Sequence, residues 1–259
     1  MPFSSIESFA KERIAAVQEY SLLAGRAVGN LFTKPRYWAD IYEQMDSIGV
    51  GSLPIVILTG FFTGCVLALQ SATALKEFGA VSKTGSLVSL SMVKELGPVL
   101  TGLMVSGRNA SGMASELGSM KVTEQIDAMR ALGTDPLRKL VTPRLIATVF
   151  MLFFLTIISD AVGIAGGALV SVTLVGLNWS SYLVDSYVGL VKGDVVAGLT
   201  KPVFSGFIIA TVGCYFGLKT TGGTQGVGKA TTQAVVVSSV FIIVVDFLVT
   251  RLMIGIFGS

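Results

Sequence analysis

Residues 95–144 read ELGPVLTGLMVSGRNASGMASELGSMKVTEQIDAMRALGTDPLRKLVTPR. The stretch begins inside an apolar run and continues into a segment dense in small and charged residues. Within that segment, apolar residues recur at helical spacing, at Val122, Ile126 and Met129. This spacing predicts a short amphipathic helix over about 121–132, which ends at the Gly-Thr-Asp-Pro run that follows. The natural role of such a helix, held between apolar segments, is to dock on a soluble partner, and the alternative is a helix that lies passively on lipid.

The composition indicates that most of the chain lies in lipid. Of 259 residues, 52% are hydrophobic and 14% are charged, whereas a soluble domain carries about 25% charged residues. The mean hydropathy of +0.74 excludes a disordered chain, because disordered chains are polar. A net charge of +3 is too small to suggest a nucleic-acid-binding protein.

The residue types also exclude most catalytic centres. The chain has no histidine, which removes Ser-His-Asp triads, Cys-His dyads and the commonest zinc sites. Its two cysteines, Cys65 and Cys214, lie in apolar runs, where packing is their expected role. We therefore expect no metal site. An intramembrane enzyme would need a Ser-Lys dyad or a pair of aspartates instead.

Five apolar runs each reach the length of about 20 residues that a helix needs to cross the hydrocarbon core. They lie at about residues 48–75, 84–107, 145–177, 195–218 and 233–257. The runs predict an all-α integral membrane protein with one transmembrane domain over residues 48–259. Residues 178–193 carry several aromatic side chains and predict a short interfacial helix.

Residues 1–47 form a separate N-terminal region, with an amphipathic helix predicted over 3–34. The membrane surface is the natural place for this helix in so apolar a protein, and packing on a partner is the alternative. Tyr37, Trp38 and Tyr42 follow, at the level where membrane proteins carry an aromatic belt.

Basic residues predict the orientation of the bundle. Of the 19 lysines and arginines, 13 fall in residues 1–47, 108–144 and 219–232, which lie on one side of the five runs. Positively charged loops favour the cytoplasmic side. We therefore expect a cytoplasmic N-terminus, a cytoplasmic helix at 121–132 and a periplasmic C-terminus.

Two adjacent charges, Lys94 and Glu95, fall in the middle of the second apolar run. A charge at the bilayer centre costs about 2.5–3.5 kcal/mol on insertion scales, so neither side chain is expected to face lipid. Their position is consistent with a buried ion pair and with a polar patch in a substrate path. Gly97 and Pro98 follow, and the proline removes a backbone donor, which predicts a kink.

Four further charged residues lie within later runs or near their ends: Asp160, Lys201, Asp246 and Arg251. The sequence does not decide how they pair with one another or with Lys94. An aspartate at this depth is also a candidate proton site. An ion-coupled secondary transporter is therefore the alternative to a transporter driven by a partner protein.

Small residues predict two interruptions of the helices. Glycine and serine are dense around Gly107 and Arg108, which predicts that the second span ends there in a sharp turn. Residues 223–230, GTQGVGKA, approach the P-loop pattern, but alanine stands where a P-loop needs serine or threonine. We therefore interpret 219–232 as a turn between two spans and expect no ATP site in this chain.

The stretch at 95–144 resembles the signature region of the MlaE-type permeases, which include bacterial Mla permeases, mycobacterial YrbE proteins and a plastid trigalactosyldiacylglycerol permease. The resemblance extends from about residue 49 to the end, and Lys94 stands where the family often has arginine. The matching motifs are Glu95-Leu-Gly-Pro98, Ser106-Gly-Arg108, Ala114-Ser-Glu116-Leu-Gly118, Met120, Thr123-Glu-Gln-Ile-Asp127-Ala128, Asp135-Pro136, Pro143-Arg144 and Gly226-Val-Gly-Lys-Ala-Thr-Thr232.

This resemblance implies the permease subunit of an ABC transporter in a bacterial inner membrane. Such systems move phospholipid between the inner membrane and the outer envelope and serve outer-membrane lipid asymmetry. The permease is a homodimer, two ATPase subunits bind on the cytoplasmic side, and an MCE-domain protein forms a ring on the periplasmic side. Some systems add a STAS-domain subunit. ATP and magnesium belong to the ATPase, so the permease is expected to be a non-catalytic subunit and no cofactor is implied in this chain.

The resemblance also implies roles for individual residues. The helix at 121–132 corresponds to the family's coupling helix to the ATPase, with the contacts Glu124, Asp127, Met129, Arg130 and Leu132. The family's lipid cavity lies at the dimer interface, near Lys94, Glu95, Gln70 and Phe78. Independently of the resemblance, the proline and the small residues predict structural hinges at Gly97, Pro98, Gly107 and Arg108.

Overall fold

The computed structural model describes residues 3–31 and 37–257, and the regular structure of that part is entirely helical. The helices are α1 (Phe3–Asn30), α2 (Trp38–Lys76), α3 (Val81–Val122), α4 (Gln125–Ala131), α5 (Leu137–Thr173), α6 (Trp179–Val188), α7 (Lys192–Leu218) and α8 (Gly223–Phe257). Five of them, α2, α3, α5, α7 and α8, are long and apolar enough to cross a membrane. The predicted all-α membrane fold is therefore confirmed.

The spanning helices extend beyond the apolar runs that predicted them. Helix α2 begins at Trp38 rather than near residue 48, and α5 begins at Leu137 rather than near 145. Hydropathy marks only the part of a helix that lies in hydrocarbon, whereas backbone hydrogen bonding continues into water. The predicted bounds therefore mark the apolar part of each helix and not its whole length.

The prediction of a turn over residues 219–232 is wrong for most of that range. Helix α8 begins at Gly223, directly after Gly222, which has a positive φ of 86°. Ala230 and Ala234 are buried, so packing against the bundle holds the early turns of α8 helical despite their glycines and threonines. The stretch that approaches a P-loop pattern is thus part of a membrane helix.

The predicted end of the second span at Gly107 and Arg108 is also wrong, because α3 does not end there. The chain makes one wide π-helical turn at Ser106–Ala110 and continues as helix to Val122. The short helix predicted from residue 121 begins instead at Gln125. The chain changes direction at Glu124, whose φ of 61° is left-handed and ends the regular hydrogen bonding of α3.

Glycines let the spanning helices approach closely, as expected for helices in lipid. Helices α2 and α5 meet where a Cβ on Gly64 would lie 1.8 Å from the carbonyl oxygen of Gly163. Helices α3 and α7 meet where a Cβ on Gly198 would lie 1.9 Å from the carbonyl oxygen of Val93. Helix α3 occupies the middle of the bundle, in contact with α2, α5, α7 and α8.

Helix α1 packs along the bundle on one side only. Ala27 is fully buried, and the Tyr20 hydroxyl lies 2.8 Å from Thr211 Oγ1 of α7. Ile14 and Val17 are exposed on the outer side. Of the amphipathic helix predicted over 3–34, residues 32–34 lie outside the described residues.

The glycine contact of α2 with α5 yields a stability prediction. We expect Gly64→Ala to lower stability by about 1–3 kcal/mol, because the added methyl group overlaps a backbone carbonyl that cannot move aside. Thermal unfolding of the purified protein in detergent measures the loss. Gly228→Ala in α8 is the matched control, since a Cβ there meets nothing within 4 Å. Equal melting temperatures for both variants contradict the prediction.

Candidate functional site

A wide turn in the middle of α3 presents Lys94 and Glu95. The π-helical turn covers Met92–Leu96 and is followed directly by Gly97 and Pro98. Proline cannot donate the next backbone hydrogen bond, and π-turns are a recurrent way to accommodate such an interruption. The expected kink therefore takes the form of a widened turn that carries both charged residues.

Lys201 of α7 is the centre of an ion cluster that ties three helices together. Its side chain is only 3% exposed, and its Nζ donates a short hydrogen bond to Glu95 Oε2 of α3. The same Nζ lies 3.1 Å from Asp246 Oδ1 of α8. Thr250 of α8 also donates to Glu95 Oε1 at 3.1 Å. The pairing of Lys201, which the sequence left open, is thus with Glu95 and Asp246.

Lys94 has a different partner from its neighbour. Its Nζ lies 2.9 Å from Asp194 Oδ1, near the start of α7. The other carboxylate oxygen of Asp194 accepts a hydrogen bond from the backbone N–H of Val191 at 3.2 Å. Sequence reasoning missed Asp194, although an acidic residue in the first turn of a helix is a recognisable capping signal.

The residues of these ion pairs border one small pocket between α3, α7 and α8. Lys94, Glu95 and Lys201 supply its polar wall, while Ala197, Met253 and Ile254 are among its apolar lining. Glu95 remains 42% exposed at its side chain, so the cluster opens to the outside of the chain. Three carboxylates, Glu95, Asp194 and Asp246, face two lysines across this region. The pocket therefore combines ionic groups with an apolar border.

The other predicted cavity residues lie elsewhere. Gln70 lines shallow grooves on α2, one of them shared with Leu96 of α3, and Phe78 is exposed at the end of α2. Asp160 approaches the wide turn from α5, where a Cβ on Gly97 would lie 1.6 Å from its Oδ1. Arg251 lies on the exposed surface of α8. None of these four joins the ion cluster among the described residues.

Helix α4 is anchored by one apolar residue and braced by ionic contacts. Ile126 is fully buried in a core that includes Leu117 and Leu140, and Met129 packs partly against the same core. Asp127 accepts hydrogen bonds from Lys121 at 2.6 Å and from Arg130 at 3.1 Å. The Lys121 hydrogen bond, with a smaller contribution from Arg130, lowers the pKa of the Asp127 carboxyl.

The outward side of α4 is open. Leu132 is 84% exposed, and Glu124 and Arg130 are exposed beside it. Of the five predicted contact residues, Met129 is therefore the one turned partly toward the chain's own core. An ion pair joins the two helices on either side of α4. Arg144 of α5 is buried, and its guanidinium group lies 2.8 Å from the carboxylate of Glu116 of α3. This ion pair was not anticipated from the sequence.

A five-span bundle with ion pairs between its spans and an exposed helix at one end is the architecture of a membrane permease. The family model for the permease MlaE matches residues 41–252, and this chain belongs to the MlaE permease family. The resemblance inferred from the sequence motifs is thereby confirmed. Permeases of this kind are non-catalytic subunits, so the expectation that the chain is not an enzyme is also confirmed.

Three relatives illustrate the similarity. A probable ABC transporter permease protein of Rickettsia felis is 44% identical over 237 residues, which is 92% of each chain. The intermembrane phospholipid transport system permease protein MlaE of Haemophilus influenzae is 36% identical over 236 residues, 88% of each chain. The chloroplastic protein TRIGALACTOSYLDIACYLGLYCEROL 1 of Arabidopsis thaliana is 36% identical over 229 residues, 88% of this chain and 65% of its own.

Removing the central cation of the cluster is expected to destabilise the protein. Lys201→Met leaves Glu95 and Asp246 side by side without a counter-ion, a loss of about 3–5 kcal/mol for a broken buried pair. The double variant Lys201→Met with Asp246→Leu removes the repulsion and is expected to recover part of this loss. Thermal unfolding in detergent compares them. If Lys201→Met alone is as stable as the wild type, Lys201 is not the stabilising centre of the ion cluster.

The contacts of Asp127 predict a pH dependence confined to α4. The folded protein lowers the pKa of the Asp127 carboxyl. The contribution of this carboxylate to the stability of α4 is therefore present above the ordinary pKa of an aspartate, and it is lost as the pH falls through the lower pKa of the folded state. Amide-exchange protection of α4 is therefore expected to hold from neutral pH to about pH 4, the ordinary value for an aspartate, and to fall below about pH 4. Asp127→Asn is expected to show low protection at every pH. If the amide-exchange protection of α4 in the wild type does not change over this pH range, the ionic contacts of Asp127 do not stabilise the helix.

Proposed function

We propose that this chain is the permease subunit of an ABC transporter that moves phospholipid between the bacterial inner membrane and the outer envelope. The observation that carries the proposal is the pocket between α3, α7 and α8 in which Lys94 and Glu95 meet an apolar border. A phospholipid has the matching chemistry, since it joins a charged headgroup to acyl chains. The name of the Haemophilus influenzae relative, an intermembrane phospholipid transport permease, supports the same substrate class.

Lys94 is the group that we assign to the lipid phosphate. It is partly exposed and held by one carboxylate, that of Asp194, whereas Lys201 is buried between two. A phosphate oxygen that replaces Asp194 as the partner of Lys94 keeps the ammonium group neutralised throughout binding. Glu95 stays attached to Lys201 and Thr250, which fixes the polar wall of the pocket while the lipid enters.

Helix α4 is the surface that we assign to the ATPase. Its open side joins an exposed leucine, Leu132, to the charged residues Glu124 and Arg130. Such a mixed surface on a braced helix fits a docking contact with a soluble partner. In this arrangement α4 and the N-terminus are cytoplasmic and the C-terminus is periplasmic, as the positive-inside rule predicts.

We further propose that two copies form the working unit, with the lipid cavity between them. Of the five spans, α8 has the smallest buried share, and its exposed side chains include Val240, Phe247 and Leu248. The lateral opening of the ion cluster lies next to this helix. An MCE-domain ring then sits on the periplasmic side, and some assemblies carry a STAS-domain subunit on the ATPase.

Transport in this proposal is a mechanical step without covalent chemistry in this chain. ATP and magnesium are bound by the partner ATPase, whose closure moves the two α4 helices. Ile126 is buried in a core shared by α3, α5 and α7, so a displacement of α4 passes to those helices together. Close glycine contacts offer smooth surfaces along which spans slide. The cavity narrows and the lipid leaves toward the MCE ring.

The headgroup role of Lys94 is tested by lipid transfer in a complex reconstituted with its ATPase and MCE partner. Lys94→Ala is expected to slow phospholipid transfer on the order of tenfold, because a charge-assisted contact to phosphate is lost. Glu95→Ala is expected to lower transfer by disturbing the wall of the pocket. Normal transfer by both variants contradicts the proposed site. Transfer that follows a proton gradient without ATPase supports the secondary transporter instead.

The role of α4 is tested by the leucine at its open end. Leu132→Ser is expected to weaken co-purification of the ATPase by about tenfold, with the fold of the permease unchanged. Leu174→Ser is the matched control, since this leucine is also exposed but lies at the other end of the bundle. If both variants retain the ATPase equally, α4 is not the contact.

A further inference from the structure

A second cationic site lies where α2 and α3 enter the membrane on the side of α4. Two π-helical turns face each other there, Asp46–Val50 of α2 and Ser106–Ala110 of α3. Arg108 bridges them: its Nη1 donates to the Ser47 carbonyl oxygen at 2.9 Å, and lies 3.2 Å from both Ser52 Oγ and Asn109 Oδ1. The guanidinium group is thereby fixed in place on the surface.

The depth of this group in the membrane follows from two independent features. The apolar run of α2 begins near residue 48, and the apolar run of α3 ends near residue 107. The structure joins these two edges through the Arg108–Ser47 hydrogen bond. Arg108 therefore lies at the boundary between hydrocarbon and water, where lipid phosphates lie.

The positive charge of Arg108 has no counter-ion in the part of the chain that the structure describes. Its three hydrogen-bond acceptors among the described residues are neutral, and its side chain is exposed. The surface around it is bare, because Gly51 and Gly107 carry no side chains and are both exposed. A Cβ on Gly51 would lie 2.3 Å from Nη2 of Arg108, so the guanidinium group occupies the space that glycine leaves.

An apolar track leads from this group into the membrane. Ile55, Leu58 and Phe62 follow Gly51 on one side of α2 at helical spacing, and all three are exposed. The track ends at the groove between α2 and α3 that Phe62, Gln70 and Leu96 line. A fixed cation at headgroup depth thus lies beside an apolar surface of the length of an acyl chain.

We propose that Arg108 binds the phosphate of a phospholipid in the leaflet on the side of α4, with an acyl chain along the exposed side of α2. Arginine suits this ligand, because its planar guanidinium group pairs with two phosphate oxygens at once. Nη1 is held by the neutral acceptors, which leaves Nη2 and Nε for the phosphate. This site is separate from the pocket of Lys94. It rests on the proposed function, to which it adds a site that holds lipid before or after the central cavity.

Native mass spectrometry of the purified full chain in mild detergent, titrated with phosphatidylglycerol, tests the proposal. Arg108→Gln is expected to lower the affinity of the tightest lipid on the order of tenfold. Gly51→Ala is expected to do the same by displacing the guanidinium group while keeping its charge. Arg130→Gln is the matched control, since this exposed arginine pairs with Asp127 outside the bundle. Its lipid affinity is expected to equal that of the wild type.

Unchanged lipid affinity in both Arg108→Gln and Gly51→Ala overturns the proposal. Displacement of the lipid by inorganic phosphate at equal concentration overturns it as well, because the site then takes a soluble ion. A loss of dimer with full lipid affinity assigns this surface to a second copy of the chain instead. Because the titration needs no ATPase, its failure is distinct from that of the proposed function. If the chain binds lipid normally but its complex shows no ATP-driven lipid transfer, only the proposed function is overturned.

Discussion

The ion pairs of Lys201 with Glu95 and Asp246 are the constraint on which the rest of the bundle depends. A buried lysine in hydrocarbon requires carboxylates within reach, and these come from two other helices. The requirement fixes the depth of α3, α7 and α8 relative to one another. The widened turn of α3 follows from it, since Glu95 reaches Lys201 while Lys94 turns toward Asp194. The polar wall of the pocket is thus the same set of contacts that holds three spans together.

The sequence predicted the fold class and the five spans because hydropathy over some twenty residues is a strong signal. The sequence did not predict where helices end or continue, because backbone geometry and packing decide those points. Nothing in local composition distinguishes a helix end at Gly107 and Arg108 from a π-helical turn inside a continuing helix. Likewise, the glycines and threonines at the start of α8 have low helix propensity, and burial of Ala230 and Ala234 overrides it.

The candidate site was predicted in part. Lys94 and Glu95 were identified from the cost of charge in lipid, but their partners come from α7 and α8, more than 90 residues away. Long-range pairing of this kind has no local signature, so Asp194 and Thr250 were missed. Gln70 and Phe78 were placed near the cavity by resemblance, and the structure puts them on the exposed side of α2. The motif at 95–144 carried the family assignment, because it is long and specific.

The central claim, that this MlaE-family chain works as the permease of an ABC lipid transporter, is tested most directly by its native assembly. The measurement is mass spectrometry of the proteins and lipids that co-purify with the tagged chain in mild detergent. The account predicts an ABC-type ATPase, an MCE-domain protein and bound phospholipid. Recovery of a bare oligomer with neither protein, under conditions that keep other ABC complexes intact, would contradict it.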